Sequence, residues 1–526
     1  MLRMPEIPAE FNITTYLMDR HLKEGRGNNV CIYYEDEKIT YAEVAERANR
    51  LGNALLNLGI ERENRVLLCM PDMPEFFYSF LGTMRTGIVP VLLSTMAIAQ
   101  DYLYYVNDSR AKAAIVHESV LPLFMEVKDQ FKYLKHMIVI GNAVPGLLSF
   151  SEICKEASPD LEAADTNKDD PGFWLYSSGT TGQPKGIVHL QHDLMYLTAH
   201  CDEVVKATPD DISFSLSKMY FSYGRNNSFD TVLLSGGAVV LFPGMPKPDA
   251  LIEVVRKYRP TIYYGVPSSY MALLALMDKG VKGVDYDFSS VRACVSAGEA
   301  LPRVIFDRWK ELFGIEILDG LGSSDVGAIY LSCVPGSVKP GSLGNLLSGY
   351  EGKLCDEEGN EVPRGEAGNL WLKAEGTAQC YWNKHQKNKE CFIGEWFITG
   401  DKFYQDEEGY YFGVGRADDM LKAGGIWVSP IEVEDAILHH PAVAECGVVP
   451  AADTDELVKP MAYVVLKEGC EGSPELVKDI QDFVRKNIAH YKFPRWIKFV
   501  TELPRTATGK IQRYKLRERV KIEGVN

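Results

Sequence analysis

The densest concentration of phosphate-binding chemistry in the chain is Tyr176-Ser177-Ser178-Gly179-Thr180-Thr181-Gly182-Gln183-Pro184-Lys185-Gly186, which packs three glycines, four Ser/Thr hydroxyls and one lysine into eleven residues. A loop of this kind can turn backbone N–H groups and hydroxyls toward phosphate oxygens while the lysine neutralises charge. It is not a Walker A loop, because Pro184 stands where a glycine precedes the lysine and Gly186 where Ser or Thr should follow. A plain Ser/Gly/Thr surface loop is the alternative, but the apolar run Phe173-Trp174-Leu175 before it and the Pro-Lys-Gly end argue against one. A second loop, Asp319-Gly320-Leu321-Gly322-Ser323-Ser324-Asp325, follows the apolar segment Ile315 to Leu318. Alone it reads equally well as a turn stabilised by Asp and Ser, and Asp325 gains interest as a carboxylate able to hold Mg²⁺ beside bound phosphates. The third candidate is Lys510, set in Thr508-Gly509-Lys510 among small residues that let it reach into a neighbouring cleft. A mobile cation suits phosphoryl displacement, in which charge develops on the α-phosphate and on the leaving pyrophosphate.

These residues need a scaffold, and the periodicity predicts one. Val44, Leu51, Ala54, Leu55 and Leu58 recur at helical spacing from Tyr41, with Gly59 as the stop. Arg65–Met70, Ala113–Val116 and His136–Ile140 read as short buried strands, and strands of this type alternating with helices imply parallel sheets covered on both faces. After Gly413 the texture becomes small and polar through Asp419, which marks a domain boundary. Ser429-Pro430-Ile431-Glu432 then supplies an N-cap, a first-turn proline and a capping-box glutamate for a new helix. The expected architecture is α/β: a large N-terminal domain over 1–416, built of stacked mixed and parallel sheets with helices, and a small mobile α+β domain over 417–526.

The totals narrow the function classes. With 46% hydrophobic and 24% charged residues the chain has ordinary globular composition, and no apolar run approaches the ~20 residues of a membrane span. The first residues lack the apolar core of a signal peptide, so a cytoplasmic location is expected. Eleven cysteines, none in a C-x-x-C pair, suggest reduced core thiols rather than disulfides or zinc. A net charge of −16 disfavours nucleic acid and anionic membrane as partners. No pattern encodes oligomeric state, and a homodimer is compatible with the chain.

The three loops, in this order and with Ser296-Ala297-Gly298-Glu299-Ala300 and Thr399-Gly400-Asp401 between them, resemble the adenylate-forming superfamily of acyl-CoA synthetases, luciferases and carrier-loading adenylation domains over essentially the whole chain. Lys218-Met219-Tyr220-Phe221-Ser222-Tyr223-Gly224, Tyr264-Gly265-Val266-Pro267 and the stretch from Lys422 to Pro430 look most like its benzoate-CoA ligase branch. The resemblance implies an ATP-dependent carboxylate-CoA ligase that uses ATP, Mg²⁺ and coenzyme A. In it Ser177 to Lys185 would grip the β- and γ-phosphates, and Gly298, Glu299 and Ala300 would sandwich adenine with the stretch Asp319, Gly320, Leu321, Gly322, which Ser323 and Ser324 continue. Asp401 and Arg416 would bind ribose, and Asp325 would ligate the metal. Tyr220, Phe221, Tyr223, Gly224, Gly265 and Ala328 would shape the acid pocket. Lys510 would bridge the acyl carboxylate and the α-phosphate. Rotation about a hinge at Asp418 would then withdraw it and bring Lys422, Gly424 and Gly425 to the adenylate for thioester formation.

Two departures from the family pattern stand out. Asp325 occupies a position that usually carries Glu, one methylene longer. Arg225 and Ala328 stand where benzoate ligases commonly have an apolar residue and a histidine, which implies a roomier pocket or one that holds a polar substituent. Alicyclic or aliphatic acids, carrier-protein loading, luciferase-like oxygenation and a non-catalytic nucleotide-binding regulator are the competing readings.

Overall fold

The computed structural model describes residues 6–177, 184–244, 247–278, 286–416, 421–423, 426–452, 458–488, 492–505 and 510–525. Two large sheets dominate the N-terminal portion. The eight-stranded sheet carries, side by side, the strands Ala113–His117, Arg65–Cys69, Val89–Leu92 and Pro171–Ser177, then Lys185–Leu190 and the edge pair Cys380–Tyr381. From Ala113–His117 to Pro171–Ser177 the strands run parallel, whereas Lys185–Leu190 returns antiparallel as the second arm of a hairpin. The nine-stranded sheet has the parallel order Ile317–Gly322, Ala293–Ala297, Ile262–Gly265, Ile212–Ser215 and Ala238–Leu241 at its centre. Both faces of these strands are covered, so they read as continuous Val/Ile/Leu/Ala runs rather than as alternating ones.

Local signals fold as their chemistry dictates. Thr40 and Glu43 form a reciprocal capping box on the helix Tyr41–Asn57, and Gly59 follows with a φ of 72°. One aromatic cluster fuses the two sheets: Phe76, Phe77 and Phe80 from the helix Pro74–Arg85 meet Phe229, and Phe80 also meets Phe173 of the eight-stranded sheet. The strand Ile317–Gly322 runs through Asp319 to Gly322, so the stretch expected to be a loop is the end of a central strand, paired Ser296 to Asp319 and Ala297 to Gly320. Its glycines do not break the strand because the neighbouring backbones leave no room for side chains: a Cβ on Gly322 would lie 2.6 Å from the Ala328 carbonyl oxygen.

A five-stranded antiparallel sheet follows, in which Trp396–Gln405 pairs with Tyr411–Arg416. Beyond residue 420 the chain has its own apolar cluster, drawn from Leu421, Val428, Val433, Ile437, Val448, Val464, Ile480 and Val484 around the sheet Val443–Ala452, Val458–Leu466 and Trp496–Phe499. Ser429 caps the helix Pro430–Leu438 as expected, accepting from the Glu432 N–H. Glu432 spends its carboxylate on the Lys492 ammonium, 2.6 Å away. Asp418 lies outside the described residues, and among the described residues no helix is long and apolar enough to cross a membrane.

Candidate active site

The hairpin between Pro171–Ser177 and Lys185–Leu190 sets Ser177 directly opposite Lys185, so the glycine-rich loop is the connection at the end of a sheet. Ser178, Gly179, Thr180, Thr181 and Gly182 lie outside the described residues. Lys185 points across to the other large sheet. Its Nζ donates to Asp325 Oδ1 at 2.8 Å and sits 3.7 Å above the Tyr381 ring, while the Tyr381 hydroxyl donates to the same Asp325 oxygen at 2.6 Å. Lysine and aspartate side chains are only 19% and 16% exposed. Burial pushes the Asp325 carboxyl up, but the Lys185 ammonium and the two hydrogen bonds outweigh it and hold the group below the usual carboxylate range.

The backbone around Asp325 is fixed from both sides. Its carbonyl accepts from the Ala378 N–H at 2.8 Å, and the preceding Ser324 carbonyl lies 2.8 Å from His189 Nε2, whose Nδ1 faces Asp193 Oδ2 at 2.8 Å. Two residues on, Gly327 has a φ of 69°, and a Cβ there would stand 2.9 Å from His189 Cε1. Ser323 closes the turn by accepting from the Val326 N–H.

The adenine candidates meet the third motif. Gly298, with a φ of 97°, carries no side chain, and a Cβ there would lie 3.6 Å from Lys510 Cε. Glu299 Oε1 accepts from the Ile511 N–H at 2.9 Å, and Ala300 is exposed beside them. Lys510 is itself exposed, next to an antiparallel bridge between Arg505 and Ile511. Asp319 sits behind this loop, where Oδ2 accepts from the Leu301 N–H at 3.2 Å and burial pushes the carboxyl up to about 8. Leu321 and Ser324 are half-buried.

Asp401 and Arg416 are directly opposed cross-strand neighbours in the backbone register. Arg416 and Lys422 are described in their backbones alone, and Gly424 and Gly425 lie outside the described residues.

In the expected acid pocket, Tyr223 donates its hydroxyl to the Gly265 carbonyl at 3.0 Å, and Tyr220 and Phe221 pack as a perpendicular pair 4.7 Å apart. Gly224 is glycine because a Cβ would lie 2.1 Å from the Lys218 carbonyl oxygen. Ala328 is buried against Gly322. Arg225 is fully buried, with Nε on Asp230 at 2.9 Å, Nη2 on the Gly327 carbonyl at 3.0 Å and its guanidinium 4.2 Å from the Phe173 ring centre. A buried guanidinium is stable only when so compensated, and this one braces the turn after Asp325.

Tyr381, His189, Asp193 and Asn388 were not indicated by the sequence. Cys380-Tyr381-Trp382-Asn383 is an aromatic stretch without spacing of its own, and only strand pairing to Ile187 brings Tyr381 beside Lys185.

Residues 19–382 match the family described as AMP-binding enzyme, and residues 432–510 match the AMP-binding enzyme C-terminal domain. The chain is 42% identical to a benzoate–CoA ligase of Thauera aromatica over 97% of each chain. It is 35% identical to a 4-hydroxybenzoate–CoA/benzoate–CoA ligase of Rhodopseudomonas palustris, over 97% of this chain and 94% of that protein. Among solved structures, an anthranilate CoA ligase in complex with anthranoyl-AMP superposes with a TM-score of 0.95 at 39% identity, covering 100% of both chains. A benzoate CoA ligase from Burkholderia xenovorans gives 0.89 at 38% identity, over 96% of this chain and 100% of that one.

Proposed function

This chain belongs to the AMP-binding enzyme family, as an AMP-forming acid–thiol ligase, and from that premise we propose that it converts benzoate or a related ring acid into its CoA thioester through an acyl-adenylate. The observation that carries the reading is that motifs far apart in the sequence are brought into contact in pairs. Lys185 and Asp325 are paired at the end of the glycine-rich hairpin, and Lys510 is delivered to Gly298 and Glu299 from the far end of the chain.

The division at residues 416 and 417 is part of the proposal, supported by the separate apolar cluster that begins at Leu421. In the first half-reaction, Lys185 and the loop from Ser177 hold the β- and γ-phosphates, while Asp401 and Arg416 hold ribose. Gly298 to Ala300 and Asp319 to Gly322 enclose adenine, and Tyr223, Gly224, Gly265 and Ala328 position the ring acid. The carboxylate attacks the α-phosphorus, the bond to the bridging oxygen breaks, and pyrophosphate leaves. Lys510 stabilises the charge shared between carboxylate and α-phosphate, a role for a cation reaching in from an exposed position. Asp325, with a carboxylate held ionised, suits Mg²⁺, which is characteristically bound by one or two carboxylates together with substrate phosphates. When bound, the metal would neutralise phosphate charge.

In the second half-reaction the small domain turns about Asp418, carrying Lys510 away and presenting Lys422, Gly424 and Gly425. The CoA sulfur attacks the acyl carbon and AMP leaves. Alternation of this kind keeps water from a reactive mixed anhydride while exchanging the groups around it. ATP and CoA as co-substrates fit a cytoplasmic enzyme.

The test is pyrophosphate release and CoA consumption over a panel of aromatic, alicyclic and aliphatic acids. Aromatic acids should show acid-dependent pyrophosphate release without CoA and thioester formation only with it. Turnover confined to aliphatic acids would overturn the substrate assignment, and pyrophosphate release with no thiol transfer would favour carrier loading.

A further inference from the structure

The family reading places Lys185 and Asp325 at the nucleotide, but it leaves unexplained why a third group is built against them. Tyr381 donates its hydroxyl to Asp325 Oδ1 at 2.6 Å, and the Lys185 ammonium, over the ring, donates to that same oxygen. Neither bond uses Oδ2. We propose that Tyr381 is a positioning residue for Asp325: its phenol pins the carboxylate through Oδ1, leaving Oδ2 for the divalent cation that accompanies ATP, and keeps it pinned when Lys185 turns to the phosphates.

The geometry supports this in three ways. First, the phenol is fixed from behind. Tyr381 is 1% exposed, its N–H donates to Asn388 Oδ1 at 2.7 Å, and its carbonyl accepts from Asn388 Nδ2 at 2.9 Å. Its strand is locked to the lysine strand by the Tyr381–Ile187 pairing and by the Trp382 N–H on the Gly186 carbonyl at 2.8 Å. A donor on such a frame aims a carboxylate, whereas one on a free loop would follow it. Second, a phenol O–H donates and a carboxylate oxygen accepts, so the 2.6 Å contact runs from Tyr381 to Asp325. Third, the Lys185 ammonium would be shared on nucleotide binding. It has three N–H donors, so it can turn toward a phosphate while loosening its hold on Asp325, and a half-buried carboxylate whose cation is shared is costly unless another donor and a metal complement it. Tyr381 supplies that donor at no change in position. Asp325 is also one methylene shorter than glutamate, so its reach depends more on what orients it.

This inference rests on the reading that metal-bound ATP occupies the site, and the experiment separates the two. Mn²⁺ replaces Mg²⁺ as a paramagnetic probe, titrated by electron paramagnetic resonance into enzyme with a non-hydrolysable ATP analogue. Tyr381→Phe should weaken Mn²⁺ binding in the ternary complex about tenfold, as loss of a group orienting a metal ligand typically does, and leave metal-free analogue binding unchanged. In an Asp325→Asn background the same substitution should add nothing. Asn388→Ala, which loosens the tyrosine backbone but keeps the hydroxyl, should give a smaller loss and guards against misfolding of the first variant. Wild-type Mn²⁺ affinity in both single variants would overturn the proposal, as would an equal further loss in the Asp325→Asn background. A wild-type enzyme that binds no Mn²⁺–nucleotide complex would overturn the ATP reading and this inference with it.

Discussion

The two lysines at the candidate site are built in opposite ways. Lys185 begins a six-residue strand inside the eight-stranded sheet, with its ammonium between Asp325 and the Tyr381 ring. Lys510 is exposed beside a single bridge, and the Ile511 N–H on Glu299 and its own approach to Gly298 are among the contacts at the nucleotide loop. On the proposed mechanism a lysine that grips phosphate can be set in a rigid frame, and one that serves only adenylation must be able to leave.

The comparison breaks most completely if the moving half is stopped. Asp418→Pro fixes φ near about −65° and removes an N–H at the proposed hinge. With the small domain held in the first arrangement, adenylation should survive while thioester formation collapses and acyl-adenylate accumulates, as read by quenched-flow chromatography. A variant that completes both steps at the wild-type rate would place the pivot elsewhere.

The fixed half can be broken by a single methyl. Gly327→Ala forces an L side chain into a φ of 69° and sets its Cβ 2.9 Å from His189 Cε1, against the imidazole that holds the Ser324 carbonyl. The cost should be about 2 to 4 kcal/mol in urea unfolding, with weaker ATP binding. Unchanged unfolding would show that this frame yields where rigidity is claimed.

A smaller effect sharpens the border between the halves. Asp319, behind the Gly298–Leu301 loop, is raised to about 8 by burial, from an ordinary carboxylate value near ~3.9. The folded state therefore holds a proton that the unfolded chain releases. The group's stabilisation is full below the unfolded value and drains away as pH rises toward 8, with a slope of up to about 1.4 kcal/mol per pH unit. Asp319→Asn stays neutral and still accepts from Leu301, so its thermal midpoint should gain on the wild type steadily from pH 5 to 8. Parallel curves would mean that the carboxyl titrates normally.

Much of this was legible in the chain, for a physical reason. The capped helix at Tyr41, the buried strands and the Ser429 N-cap are local, set by spacing and by donors a few residues apart. The partnerships are not: Lys185 meets Asp325 across 140 positions, and Tyr381 meets Asp325 across 56, through strand order that periodicity does not encode. The partners of Arg225 were hidden for the same reason, since Asp230 and the Gly327 carbonyl close on it only in the fold. The Asp319–Gly322 stretch looked like a turn because glycine usually ends a strand, but here close backbone packing requires it.

The central claim is that Lys510, carried by the small domain, serves adenylation and not thioester formation, while Lys185 is held in a fixed frame. The direct test is Lys510→Ala, assayed separately for pyrophosphate release from ATP and acid and for CoA thioester formation from preformed acyl-adenylate. Loss of one positioned donor should slow adenylation by ~10² to 10³, or about 3 to 4 kcal/mol, and leave thioester formation from adenylate near the wild-type rate. Equal damage to both half-reactions would contradict the account.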